Sequence, residues 1–263
     1  MIDLLSVKKA IIEDVKVETP EVKTFVIKVE EPFRFKSGQF IMISMLGVGE
    51  SPFAVSSSPQ NPMSIEVTIQ KTGMNTTAIH ELSAGDAVWY RGPYGNGFPV
   101  EEWGSKNRIV IAGGIGLAPI RSLLYDMIDN RQNSEDILLL YGIRSYDKAI
   151  YKKELSDLDK KINVQIISEY PEEGSDRRVG FVTQLIEQQE IDPSNSIAVM
   201  CGPHRMIEAC VNSLEKKGLV REQMYVSLEM KMKCGVGICG RCNIDHRHIC
   251  KDGPVFRVDE INL

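Results

Sequence analysis

The chain has no apolar run approaching about 18 residues, so no membrane-spanning helix is expected. It has no basic tract either. With 31 Lys and Arg against 36 Asp and Glu, its net charge of −5 offers nothing to neutralise phosphates, which argues against a nucleic-acid partner. The opening MIDLLSVKKA lacks the charged start and the apolar length of a secretory signal. The expected compartment is therefore the cytoplasm, where thiols stay reduced. Internal repeats and low-complexity segments are missing, so a repeat architecture is not expected. Histidine is scarce, at 4 residues.

What is present is ordinary in bulk: 43% hydrophobic and 25% charged residues, as in soluble globular proteins. A length of 263 residues suits two domains and a small appendage. The first hundred residues alternate apolar and charged side chains with period two in AIIEDVKVE and VKTFVIKVE. FIMISML, PFAVS, SIEVTIQ and AVWYRGP continue the series, with one helix expected over Thr76 to Leu82. Short strands at this spacing predict an N-terminal antiparallel β-barrel.

After Pro99 the texture changes to continuous apolar strands separated by helical stretches. RIVIAGG, ILLLYG, NVQIIS, SIAVMCG and QMYVSL are the strands. Helices are expected over Leu117 to Asn130, Ala149 to Leu158, Thr183 to Gln189 and Pro203 to Lys217. That alternation predicts an α/β domain with a parallel sheet covered on both faces. The boundary falls in the charged loop from Val100 to Asn107.

Four of the 6 cysteines, Cys234, Cys239, Cys242 and Cys250, follow a C-x4-C-x2-C-x7-C pattern near the C-terminus. This is the plant-type spacing of a [2Fe–2S] cluster. Gly235, Gly237 and Gly240 let the backbone curl and aim N–H groups at the sulfurs. Structural zinc and a pair of disulfides are the competing readings of four cysteines. Zinc knuckles usually carry a longer spacer, and a reducing compartment disfavours disulfides. His246 and His248 fall between the third and fourth cysteines, but four thiols leave Rieske-type ligation unnecessary.

Two further turns bear chemistry. IVIAGGIGLAPI places Gly113, Gly114 and Gly116 between a buried strand and a helix. There a pyrophosphate can approach the backbone and the positive end of the helix. A tight strand–helix turn favours glycine for its own sake, and the full G-x-G-x-x-G spacing is absent. VMCGPHRM repeats the geometry at a later strand end, with Cys201, Gly202, Pro203 and Met206. Cys201 is a candidate neighbour of a reacting nicotinamide ring. Cys210, on the next helix, reads as a small buried hydrophobe.

The order of barrel, G-G-x-G-x-A-P, C-G-P-x-x-M and four-cysteine cluster resembles the ferredoxin–NADP reductase superfamily over essentially the whole chain. Within it, the sequence is most similar to electron-transfer subunits that join a flavin reductase to a [2Fe–2S] domain. Examples are the sulfhydrogenase gamma subunit, the corresponding subunit of anaerobic sulfite reductase and the electron-transfer subunit of dihydroorotate dehydrogenase B. The resemblance implies an FAD-binding barrel over 1–100, an NAD(P)-binding α/β domain over 101–228 and a [2Fe–2S] domain over 229–263.

It also assigns residues. The family's R-x-[YF]-[ST] flavin segment falls on Ser51, Pro52, Phe53 and Ala54, so Phe53 keeps the stacking ring while both polar positions are lost. Backbone groups of Val55 and Ser56 are then expected at the ring edge. Gln70, Lys71 and the segment from Gly73 through Thr76 and Thr77 are expected toward the pyrophosphate, although the threonines also suit a plain helix cap. Ala118 and Pro119 complete the nucleotide turn. After the third parallel strand, NADP-binding relatives carry Ser-Arg. Here Glu169 follows Ser168, which favours NADH, while Arg144, Lys148, Arg177 and Arg178 lie in nearby loops.

The implied activity is an NAD(P)H-dependent flavoprotein oxidoreductase in which electrons run between NAD(P)H, FAD and the cluster. The chain has no second redox motif for a terminal substrate. Its expected partner is therefore a catalytic subunit of a multi-subunit oxidoreductase. A stand-alone reductase using ferredoxin, or a zinc-stapled regulatory module, is the alternative. Ile238, Ile244 and Ile249 are expected either to cover the cluster or to form a docking patch.

Overall fold

A computed structural model describes residues 4–130 and 136–263. The period-two segments become β1 (Lys8–Thr19), β2 (Val22–Lys28), β3 (Phe40–Met45), β4 (Gly49–Ala54), β5 (Ser64–Gln70) and β6 (Ala87–Tyr94). They pair antiparallel in the order β4-β3-β6-β1-β2-β5. Just past β4, Val55 bridges to Val67 of β5, which brings the two edge strands together as a barrel. Alternation turns Ile12, Phe25, Ile27, Ile43, Ile65 and Val88 into a shared apolar core. Each such side chain contributes roughly 1.5–3 kcal/mol on burial. The charged residues of β1 point outward.

The helix among these strands, α1 (Met74–His80), starts two residues earlier than Thr76. Gly73 is extended there and its carbonyl already accepts the Thr77 N–H at 2.8 Å, which opens the first turn.

Strands and helices then alternate: β7 (Asn107–Gly113), α2 (Leu117–Asp129), β8 (Ile137–Ile143), α3 (Lys152–Leu158), β9 (Asn163–Ser168), α4 (Val182–Glu187), β10 (Ser196–Cys201), α5 (His204–Lys216) and β11 (Met224–Ser227). Helix α3 begins later than Ala149 because Tyr151 sits at φ 56°, outside right-handed helix space. The C-terminal segment adds β12 (Asn243–Ile244), β13 (Arg247–His248), α6 (Ile249–Asp252) and β14 (Val255–Arg257).

The second sheet has the order β14-β11-β10-β7-β8-β9, with β11 through β9 parallel. The chain leaves β7 toward β8 and β9, then returns to the other side with β10. The reversal between β7 and β10 is a topological switch point, where open α/β sheets form their ligand crevice. By internal contacts, one unit comprises residues up to Phe98, with Arg121–Asp126 and Leu228–Val255. The other comprises Pro99–Ile120, Met127–Ser227 and Phe256–Leu263. The cysteine segment thus belongs to the barrel's unit. No described helix is long and apolar enough to cross a membrane.

Candidate functional site

The loop 234–242, the β12–β13 hairpin and α6 bring four free thiols together. Backbone links join them in pairs, the Cys239 N–H donating to Cys234 Sγ and the Cys250 N–H to Cys242 Sγ. Among the described residues, no three His, Cys, Asp or Glu side chains gather as a cage for one metal ion. Two pairs of thiols on one short segment are the donor set that a two-iron cluster needs. The backbone is aimed at the sulfurs. Cys234 Sγ accepts from the N–H groups of Val236, Ile238 and Cys239 at 3.5, 3.3 and 3.4 Å. Cys250 Sγ accepts from Gly237 at 3.0 Å, and Cys242 Sγ from the Cys250 N–H at 3.4 Å.

These bonds set the thiol chemistry. Burial opposes ionisation of Cys234, yet the three N–H donors and the Cys239 thiol outweigh it and lower its pKa to about 6. Burial, helped by the Cys242 thiol, pushes Cys250 up to about 12. Exposure divides the four as well. Cys242 and Cys250 are buried, whereas Cys239 is exposed beside Ile238, which is 77% exposed. Ile249 is fully buried and Ile244 half-buried, so only Ile238 stands on the surface.

Arg91 of β6 holds this loop. Its Nη1 donates to the Cys234 carbonyl at 2.6 Å. Glu50 of β4 grips the same guanidinium, Nε to Oε1 at 2.8 Å and Nη2 to Oε2 at 2.5 Å. The Glu50 pair raises the Arg91 pKa further above its ordinary value. Gly235, at φ +74°, lies where a Cβ would meet Met42 at 3.2 Å, so both backbone and space call for glycine.

On the barrel, Ser51, Pro52, Phe53 and Ala54 are half-buried along β4. Phe53 packs against the barrel core, and the Asn75 side-chain amide lies 2.8 Å from Ser51 Oγ. The N–H of Val55 donates to Gln39 O at 3.0 Å and that of Ser56 to Glu66 O at 2.8 Å. Gln70 ends β5 opposite Val22. Lys71 is exposed, with its Nζ 3.7 Å from the Glu81 carboxylate. The Thr76 hydroxyl accepts from the Thr72 and Gly73 N–H groups, both at 2.9 Å. Thr77 and Gly73 are exposed, and nothing approaches a Cβ on Gly73 within 4 Å.

At the switch point, glycine serves two purposes. A Cβ on Gly113 would overlap Met206, one on Gly116 would reach the Cys201 carbonyl, and one on Gly202 would lie 3.1 Å from Gly113 Cα. These residues let the turns after β7 and β10 touch. Only Gly114, at φ +55°, faces open space. Ala118 and Pro119 are buried in the first turn of α2, while Pro203 is exposed before α5. Cys201 is buried at the end of β10. Burial pushes the Cys210 thiol up to about 12, as suits a core residue.

Beyond β9, Ser168 is buried and its hydroxyl donates to Tyr170 O at 2.7 Å, while Glu169 is exposed. Arg144 lies over the Tyr170 ring and Arg177 over the Tyr146 ring, at 5.8 and 4.6 Å. Arg177 also pairs with Glu172 at 3.0 Å, and Arg178 donates to Gln165 at 2.8 Å. His80 is buried against Ile69 O, and His204 lies 3.5 Å from Glu208. His248 stands 4.0 Å from Asp252. Sequence reasoning missed Arg91, Glu50 and Met42. The one signal available was a charged residue inside the strand run AVWYRGPY.

A barrel, a parallel sheet with a glycine turn at its switch point and a loop of paired cysteines define an oxidoreductase of the ferredoxin–NADP reductase fold with an iron–sulfur segment. Residues 110–212 match the oxidoreductase NAD-binding domain family. Residues 229–262 match the iron–sulfur cluster binding domain of dihydroorotate dehydrogenase B. The chain is 39% identical to sulfhydrogenase 2 subunit gamma of Pyrococcus furiosus, over 92% of each chain. It is 36% identical to a probable dihydroorotate dehydrogenase B electron transfer subunit of Methanocaldococcus jannaschii, over 96% of this chain and 90% of that one. The chain belongs to this family of electron-transfer subunits. Its fold is shared with an NADH-dependent reduced ferredoxin–NADP oxidoreductase at TM-score 0.79 and 22% identity, covering 96% of this chain and 89% of that one. The cytochrome b5 reductase domain of Ulva prolifera nitrate reductase gives 0.70 at 20% identity, covering 85% and 98%.

Proposed function

We propose that this chain carries electrons between NADH, an FAD on the barrel and a [2Fe–2S] cluster on Cys234, Cys239, Cys242 and Cys250, and exchanges them with a catalytic partner subunit. The observation that carries this reading is the set of four free thiols with backbone N–H groups aimed at their sulfurs. When bound, the three groups supply hydride transfer and its division into single electrons.

The protein's own contribution is placement. The open face of Gly114, at the N-terminal end of the 13-residue α2, suits a dinucleotide pyrophosphate. Glu169 suits a ribose 2′-hydroxyl and repels a 2′-phosphate. The half-buried Pro52, Phe53 and Ala54 present an aromatic and apolar wall to the flavin, next to the buried Val55 and Ser56 whose N–H groups are taken up within the barrel, and Lys71 with Gly73 and Thr77 faces the pyrophosphate side. The exposed Cys239 and Ile238 mark where the partner's redox centre approaches. The named relatives are gamma or electron transfer subunits, and this chain takes the same place in a complex. Four thiols kept free suit the reducing cytoplasm.

The test uses the purified chain. Flavin and iron–sulfur absorption bands, slow NADH oxidation with a dye and no turnover with sulfite, protons or dihydroorotate are expected. A colourless protein with stoichiometric zinc overturns the redox assignment, and full turnover by the isolated chain overturns the subunit role.

A further inference from the structure

We infer that Arg91 and Glu50 form a charge pair that positions the first cluster cysteine and sets the reduction potential of the cluster. Arg91 is only 6% exposed, and all five of its N–H groups have acceptors. Nε and one Nη2 proton go to Glu50, at 2.8 and 2.5 Å. The other Nη2 proton reaches toward Lys233 O at 3.4 Å. Nη1 donates to Cys234 O at 2.6 Å and to Tyr94 Oη at 3.2 Å. No lysine can make this set of contacts, because an ammonium has three donors and no planar fork. Glu50 is tied in turn to Ser44 Oγ at 2.8 Å, so the pair is fixed to β3 and β4 as well as to β6.

The two charges lie in order. The guanidinium touches the peptide of Cys234, and the Glu50 carboxylate sits on the opposite edge of that guanidinium. An iron–sulfur cluster gains one negative charge on reduction, so a nearby cation favours the reduced form and a nearby anion opposes it. Burial keeps water from screening either charge fully. With both present the effects partly cancel, and removing either one exposes the other. Arg91→Gln leaves the carboxylate unopposed and lowers the potential. Glu50→Gln leaves the cation unopposed and raises it. A strut without electrostatic influence would not split the two variants in sign, since both remove the same fork.

The inference rests on the cluster assignment to the four cysteines, and the experiment separates the two. The cluster potential is measured by redox titration followed by electron paramagnetic resonance on the full chain, for the parent, E50Q, R91Q and R91K. The expected result is a higher potential in E50Q and a lower one in R91Q. R91K, which keeps the charge and loses the fork, should stay nearer the parent potential with a lower cluster content. If R91Q does not assemble a cluster, E50Q and R91K decide: an E50Q potential at or below the parent's, or an R91K potential displaced as far as E50Q's, overturns the inference. Shifts of the same sign in E50Q and R91Q, or none, also overturn it. A parent chain without an iron–sulfur signal ends the cluster assignment itself.

Discussion

A Cβ on Gly116 would stand 2.5 Å from the carbonyl oxygen of Cys201, so the turn after β7 meets the end of β10 backbone to backbone. Gly116→Ala is expected to push these strand ends apart and cost about 1–3 kcal/mol, the usual penalty of overpacking. Gly114→Ala meets open space and carries only the strain of a left-handed backbone, about 1 kcal/mol. Thermal melts should rank G116A below G114A. The reverse order would place the tight constraint at Gly114 instead.

Cys239→Ser should remove the iron–sulfur absorption while the flavin stays bound. Iron and acid-labile sulfide analysis of the parent should give two of each per chain. Stoichiometric zinc in anaerobically purified protein contradicts this.

Glu169→Arg should raise the preference for NADPH relative to NADH, because a 2′-phosphate gains a charge-assisted bond in place of repulsion. Steady-state kcat/KM for both nucleotides measures it. A parent that already prefers NADPH shifts the assignment to Arg177 and Arg178, which pair with Glu172 and Gln165.

Glu66 is held by Arg121 and, at 3.0 Å, by Lys16. Burial opposes its ionisation, but Arg121 and then Lys16 outweigh it, so its pKa falls below the ordinary carboxylate value. A lowered folded pKa means the pair stabilises fully above the unfolded pKa, and this is lost as pH falls through the folded value. Glu66→Gln removes the charge that Arg121 and Lys16 bond to and is expected to cost about 1.5–3 kcal/mol at pH 7, the worth of a hydrogen bond to a charged group. In urea melts at descending pH, the gap between parent and variant should narrow. A constant gap would show that the pair's charge does not matter.

Ile238→Asp puts a charge on the exposed rim of the cysteine loop. Partner-dependent turnover should weaken while NADH-to-dye activity stays nearly intact. Equal loss of both would place Ile238 on the internal electron path.

Much of this was legible in the chain. Alternation marks a barrel strand whatever its neighbours, because one face must be apolar, and ILLLYG or SIAVMCG, short apolar runs ending in glycine, suits a strand buried on both faces. The cysteine spacing pointed to iron because the ligands lie within one short loop, where local sequence controls geometry. Element ends were less legible. Tyr151 at φ 56° and the extended Gly73 moved two helix starts, and neither follows from periodicity.

The sequence by itself determined the class of elements, their order and the local curl of the cysteine loop, since each depends on residues a few positions apart. Tertiary structure alone decided that Gly113 and Gly116 are spent on contact between strand ends, and that the N–H groups of Val55 and Ser56 are spent inside the barrel. It also decided that Arg91, more than a hundred positions from Cys234, holds that residue's carbonyl. Such contacts are set by strand order and register. A buried charge finds its partner wherever the folded chain brings an acceptor, and no local pattern encodes that distance.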